Sequence, residues 1–213
     1  MPFRPPPAST WELYQNLKVH PTWGYVIYRT TYSPPSDAHF STIVKYLDAC
    51  LKAEFFRECA REVEYQPSVD PAIYNVIWSK HSSTIMEDKA HFDGASTDSI
   101  RAHFEAWVDA QGQRDRFNKF RMCIVIDEEC LQTLIGTSAE AIEQETEYET
   151  EETVRYVKVV EAWPIVDQYD EFPGWMKCWS RVLWDLWKMM CDGDELRMSY
   201  EKIDDFCDGV YSG

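Results

Sequence analysis

The chain has 213 residues, 45% of them hydrophobic and 15% aromatic, enough for one sizeable core. Its formal net charge of −16 repels a phosphate backbone and an anionic membrane surface, and no dense Lys/Arg patch offsets that locally. Nucleic acid and membrane are therefore not expected as partners, whereas a protein partner, a second copy of the chain or a small molecule is compatible with the charge.

MPFRPPPASTWELYQ lacks the apolar core of a secretory signal, and no later run is long and apolar enough to span a bilayer. The seven cysteines are an odd number without CxxC pairs and read as reduced thiols, so a soluble, cytoplasmic protein is expected. Residues 1–20, with Pro5-Pro6-Pro7, read as an extended arm, and 21–213 as a single domain. GYVIYRTTY, from Gly24 to Tyr32, is rich in β-branched and aromatic residues on both alternating faces, as a buried strand is. SPPS stops it, and Ser36 with Asp37 is expected to cap a helix carrying Phe40, Ile43, Val44, Leu47, Leu51 and Phe55 at helical spacing.

Residues 62–118 read as an insertion. Within it, Tyr65 to Pro71 is a connection, and IYNVIWS from Ile73 is a strand that resumes near Ile85 and Met86. HFDGAS, His91 to Ser96, is a tight turn ending in a helix cap, and the following helix uses Ile100, Phe104, Trp107 and Val108. FRMCIVID (Phe120 to Asp127) and RYVKVVEAW (Arg155 to Trp163) are buried-strand patterns. Between them, residues 138–153 read as a mobile acidic loop, because Glu140 to Glu152 holds seven glutamates and no basic residue. Trp175 to Met190 reads as one helix with three of its four tryptophans on the apolar stripe and Trp184 on the polar arc. LRMSY near Leu196 reads as an edge strand. The order implies an α+β fold, a ferredoxin-like βαββαβ sandwich with an inserted helical segment and an acidic loop.

Candidate functional groups are sparse. Arg29 interrupts a buried strand and needs a partner, either a core carboxylate such as Glu161 or an anionic ligand. Arg29, Tyr28, His91 and His103 are the ligand-binding candidates, and Trp184 and Tyr32 the interaction candidates, since Trp is enriched at interface hot spots. His91, Asp93 and His103, with Glu87 and Asp88 just before them, match no standard metal spacing. Asp127 to Glu129 stands where a helix N-terminus favours carboxylates for capping. CDGDE, from Cys191, is only a fragment of a calcium loop. GxGxxG, P-loop, GxSxG and HExxH patterns are absent from the sequence, so no cofactor, metal or catalytic residue is assigned.

In GYVIYRTTY with the following SDAHF, in FDGASTDSIRAHFEAW and in FRMCIVIDEE, the chain resembles a group of uncharacterised proteins of filamentous ascomycete fungi, over about two thirds of its length. The resemblance implies a self-standing fungal intracellular protein and brings no activity, cofactor or catalytic residue with it. The reading that follows is a non-enzymatic binding or protein-interaction domain, monomeric or a homodimer through its sheet or Trp helix. The alternative is an enzyme or small-ligand carrier with an aromatic pocket between sheet and helices.

Overall fold

The computed structural model describes residues 5–114, 117–144, 154–165, 172–191, 195–203 and 209–213. Among the described residues, six strands, β1 (Val26–Arg29), β2 (Thr84–Met86), β3 (Met122–Ile126), β4 (Tyr156–Glu161), β5 (Trp175–Trp179) and β6 (Val210–Tyr211), form one sheet in the order β2-β1-β3-β4-β5-β6. β1 is parallel to β2 and β3, β4 is antiparallel to β3 and β5, and β6 is parallel to β5. Around this mixed sheet lie α1 (Ala8–Asn16), α2 (Pro34–Tyr65), α3 (Ala72–Trp78), α4 (Lys89–Phe92), α5 (Thr97–Ala110), α6 (Glu128–Leu134), α7 (Ala139–Glu143), α8 (Leu183–Cys191) and α9 (Leu196–Tyr200). Among the described residues no helix is long and apolar enough to cross a membrane.

The α+β class holds, but the ferredoxin-like order does not. That order places GYVIYRTTY beside RYVKVVEAW, whereas β1 pairs with β3, Ile27 opposite Ile124 and Tyr28 opposite Val125. Residues 62–118 explain the difference. They are woven into the layer, supplying β2 on the other side of β1 and the long crossover connections that parallel pairing requires.

Helices cover both faces, which is why β1 reads as apolar on both. Tyr28 meets the rings of Phe92 and Phe104 on one face, while Tyr25 packs on Trp187 on the other and donates its hydroxyl to the Leu183 carbonyl at 2.8 Å. Gly24 sets the entry to β1. Its φ is +130°, and a Cβ there would lie 3.0 Å from the Ser82 carbonyl carbon, so the approach of the two chains requires glycine.

Several local expectations are corrected. α2 starts at Pro34, with Ser33 as the extended N-cap residue and proline in the first turn, where a missing N–H costs nothing. Ser36 instead turns inward and donates to the Thr31 carbonyl at 2.6 Å. IYNVIWS is helical because Ile73, Tyr74 and Ile77 fall on one buried face. LRMSY is helical with Leu196 and Ser199 inward. The Pro-rich arm carries α1, whose Leu13 is fully buried. WMKCW is strand rather than helix: Met176 and Cys178 alternate inward, and Trp175, Lys177 and Trp179 stay half-buried, the pattern of a pleat. The start of the acidic segment is ordered as α7, capped by the Ser138 hydroxyl and packed on α2 through the buried Ile142, while 145–153 lie outside the described residues.

The face against α2 and α8 holds an aromatic cluster in which Trp23 meets Trp184 at 5.8 Å and Trp187 at 5.3 Å, both edge-on. Glu58 ties it together. Its carboxylate accepts from Thr10, Tyr74 and Trp184 and pairs with Lys188, joining α1, α3 and α8 to α2.

Candidate functional site

β1 connects onward to β2 on one side, and β3 connects onward to β4 on the other. The order of strands through the sheet therefore reverses at the boundary between β1 and β3, and the carboxyl ends at such a boundary are where open α/β sheets bind ligands. A cavity of about 370 Å³ occupies this point, lined by Thr30, Thr31, the backbone turn Asp93 to Ala95, and Asp127 to Glu129. Local rules build each wall. β1 delivers Thr30 and Thr31, with Thr30 N–H still bonded to the Ile126 carbonyl at 3.0 Å. The HFDGAS turn is pinned beside them by Gly94 N–H on the Thr30 carbonyl at 2.9 Å, and Gly94 itself takes φ +69°. At the end of β3, Asp127 caps α6 by accepting Cys130 N–H at 2.9 Å, as the sequence led us to expect.

The carboxylates are held in different ways. Lys158, on β4, bridges Asp127 at 2.5 Å and Glu129 at 2.8 Å. Glu129 also takes Lys177 at 2.6 Å and the Tyr156 hydroxyl at 2.9 Å. The hydrogen bond from Lys158 and then that from Lys177 pull the Glu129 carboxyl down to about 2, so it stays ionised across the physiological range. Burial works against the charge of Lys158, but its bonds to Asp127 and Glu129 outweigh this and raise its pKa above the ordinary lysine value. Glu128 accepts from Thr31 at 2.6 Å, Ser33 at 3.1 Å and Gln132 at 2.6 Å, and the Thr31 bond leads in lowering its pKa. Asp93 is exposed at the rim. Four carboxylates thus face a cavity whose balancing cations, Lys158 and Lys177, come from β4 and β5. Among the described residues no group of three or more His, Cys, Asp or Glu is arranged to hold a metal ion.

The residues singled out from sequence fall into separate places. Arg29 borders the crevice but is fully engaged: Nε donates to the Thr31 carbonyl and Ser36, the terminal nitrogens pair with Glu87 at 3.1 Å and with Asp37, and the guanidinium stacks on Tyr32 at 4.4 Å. Its partners are therefore Asp37 and Glu87, not Glu161, which lies at the other end of the sheet and accepts Leu196 N–H. Tyr32 is half-buried and its hydroxyl accepts Asp88 N–H at 2.8 Å. Tyr28 points to the opposite face, its hydroxyl 2.9 Å from His103 Nδ1. His91 is exposed and bonded to Asp88 at 2.7 Å. The four ligand-binding candidates do not converge on one pocket. Trp184 is 1% exposed, bonded to Glu58 and covered by Trp23 and Phe55, so it presents no docking surface.

Sequence reasoning missed Thr30, Thr31 and Glu128 as a set. The DEE at a strand end and the HFDGAS turn were both visible, but only the parallel pairing of β1 with β3 brings them together. Comparison with protein-family models, with curated proteins and with solved structures finds no match.

Proposed function

We propose that this protein is a non-enzymatic small-ligand-binding protein that takes a cationic amine in the crevice at the carboxyl ends of β1 and β3. The observation that carries this reading is the meeting of Thr30, Thr31, the Asp93 to Ala95 turn and three consecutive carboxylates at the β1/β3 boundary, where the order of strands through the sheet reverses. Four carboxylates against two lysines leave an excess of negative charge at the cavity, and the whole chain, at −16, draws cations toward it. The reading keeps binding as the function and moves the site from the tyrosine strand and Trp184 to the strand ends.

Calorimetric titration with putrescine tests it. The wild type is expected to give saturable heat, Glu128→Gln and Asp93→Asn to weaken binding by about tenfold or more, and Glu62→Gln, a charge change on α2 away from the crevice, to leave it unchanged. No saturable heat with the wild type, or equal weakening in the Glu62 control, overturns the assignment.

A further inference from the structure

A second cleft of about 370 Å³ lies toward the other end of β1 and β2, lined by α2, the turn from α3 to β2, and α7. His81 forms its floor. The side chain is 7% exposed, the ring stacks on Trp78 at 4.4 Å and 9°, and Nε2 is buried without a hydrogen-bond partner. Buried polar atoms are nearly always satisfied, so an unmatched ring nitrogen in a cleft wall marks a place where a partner is missing. Asp48 Oδ1 faces it from 3.8 Å, outside hydrogen-bonding range, and is held by the Ser83 hydroxyl at 3.0 Å. Both residues line the cleft, Asp48 with its side chain 39% exposed.

The chemistry of the walls narrows the ligand. Burial first, and the nearby Lys119 charge second, push the His81 imidazole down to about 4, so it is neutral at physiological pH. Lys45 and Lys52 at the rim are matched by Glu140 and Glu143, the Lys52–Glu143 pair standing at 3.6 Å. With Asp48 the lining holds three carboxylates against two lysines, a near balance that selects strongly for neither a cation nor an anion. A carboxylate oxygen and a neutral imidazole nitrogen side by side suit one group that donates and accepts at once, which is a hydroxyl. Trp78, half-buried beside His81, adds aromatic surface to the lining, against which ring C–H groups can pack.

We infer that this cleft binds a neutral polyhydroxylated ligand, a sugar or cyclic polyol of monosaccharide size, with one hydroxyl bridging Asp48 and His81. The site is separate from the strand-end crevice and does not depend on it.

Saturation-transfer NMR on the full chain with D-glucose, D-galactose, D-mannose and myo-inositol tests this. At least one probe is expected to show transfer to its ring C–H protons, with the signal undiminished by putrescine. Asp48→Ala removes one bridging partner, and Glu140→Trp obstructs the mouth from an exposed helix position while leaving both partners in place. Either variant is expected to cut the transfer by about tenfold. If Asp48→Ala fails to fold, Glu140→Trp decides. Absence of transfer from all four probes to the wild type, or equal transfer to the wild type and a folded variant, overturns the inference.

Discussion

Replacing Glu58 by Ala removes the polar centre of the helical layer and is expected to destabilise the fold by about 3–5 kcal/mol. The carboxylate is 4% exposed and accepts from Thr10 Oγ1 at 2.6 Å, Tyr74 Oη at 3.2 Å and Trp184 Nε1 at 3.0 Å. Thr10 and Tyr74 are fully buried and Trp184 is 1% exposed, so each loses its acceptor in a dry setting, at about 1–3 kcal/mol apiece. Lys188 loses less, because it keeps Asp185 at 2.7 Å and is partly solvated. The neighbouring cleft of about 600 Å³, which Glu58 itself lines, admits water that recovers part of the loss. Glu58→Gln keeps the volume and an acceptor and is expected to cost about 1–2 kcal/mol. Urea unfolding with the denaturant slope unchanged is the assay. A loss below about 1 kcal/mol for Glu58→Ala would refute the account of α1, α3 and α8 as joined through this carboxylate.

Burial raises the Glu161 carboxyl from its ordinary 4.5 to about 7. A raised acid contributes stability below its unfolded pKa that is lost as pH rises through the folded value, so this group lowers stability between about pH 4.5 and pH 7. Glu161→Gln is expected to be the more stable protein above pH 7, with the difference vanishing near pH 4; parallel stability curves for the two proteins would refute this. Trp184→Ala is expected to cost about 3–5 kcal/mol as a core truncation and to leave the solution mass of the folded protein unchanged at any concentration; a shift in mass would restore Trp184 as an interface residue. Cys50, Cys59, Cys123, Cys130 and Cys178 are buried, and burial raises the pKa of Cys123, Cys130 and Cys178, so a thiol reagent is expected to reach these five only on unfolding. Mass mapping that finds fast native-state labelling at Cys123 or Cys178 would contradict the core packing. Gly24→Ala is expected to cost more than about 1 kcal/mol, because it adds both strain at φ +130° and a clash with Ser82; an unchanged melting temperature would count against the close approach of the chains there.

Long segments with one dominant period were legible. GYVIYRTTY, FRMCIVID and RYVKVVEAW hold β1, β3 and β4, and the apolar ladder from Phe40 to Phe55 lies on α2. Short segments were not. IYNVIWS has the composition of a strand, but its buried residues sit at helical spacing, and composition outvoted spacing. WMKCW was absorbed into the apolar stripe of the helix that follows, although Met176 and Cys178 alternate with Lys177 and the flanking tryptophans as a pleat does. Arg29 was read as needing a partner, either a core carboxylate such as Glu161 or an anionic ligand, and the structure pairs it instead with Asp37, four residues into α2, and Glu87, just past β2. The crevice was legible only in pieces, since Thr31 and Glu128 are 97 positions apart and their contact depends on a parallel pairing that no local pattern encodes. His81 and Asp48 carried no motif, and only the packing of Trp78 reveals the buried nitrogen.

The strand-end crevice is tested most directly by a backbone amide NMR titration with putrescine. Binding at this site predicts saturable shifts concentrated at Thr30, Thr31, Gly94, Ala95 and Asp127 to Glu129, persisting at physiological salt because the site is a shaped cavity and not only a diffuse charge. Shifts spread evenly over the acidic surface and abolished by salt, or no shifts at those residues, would contradict it.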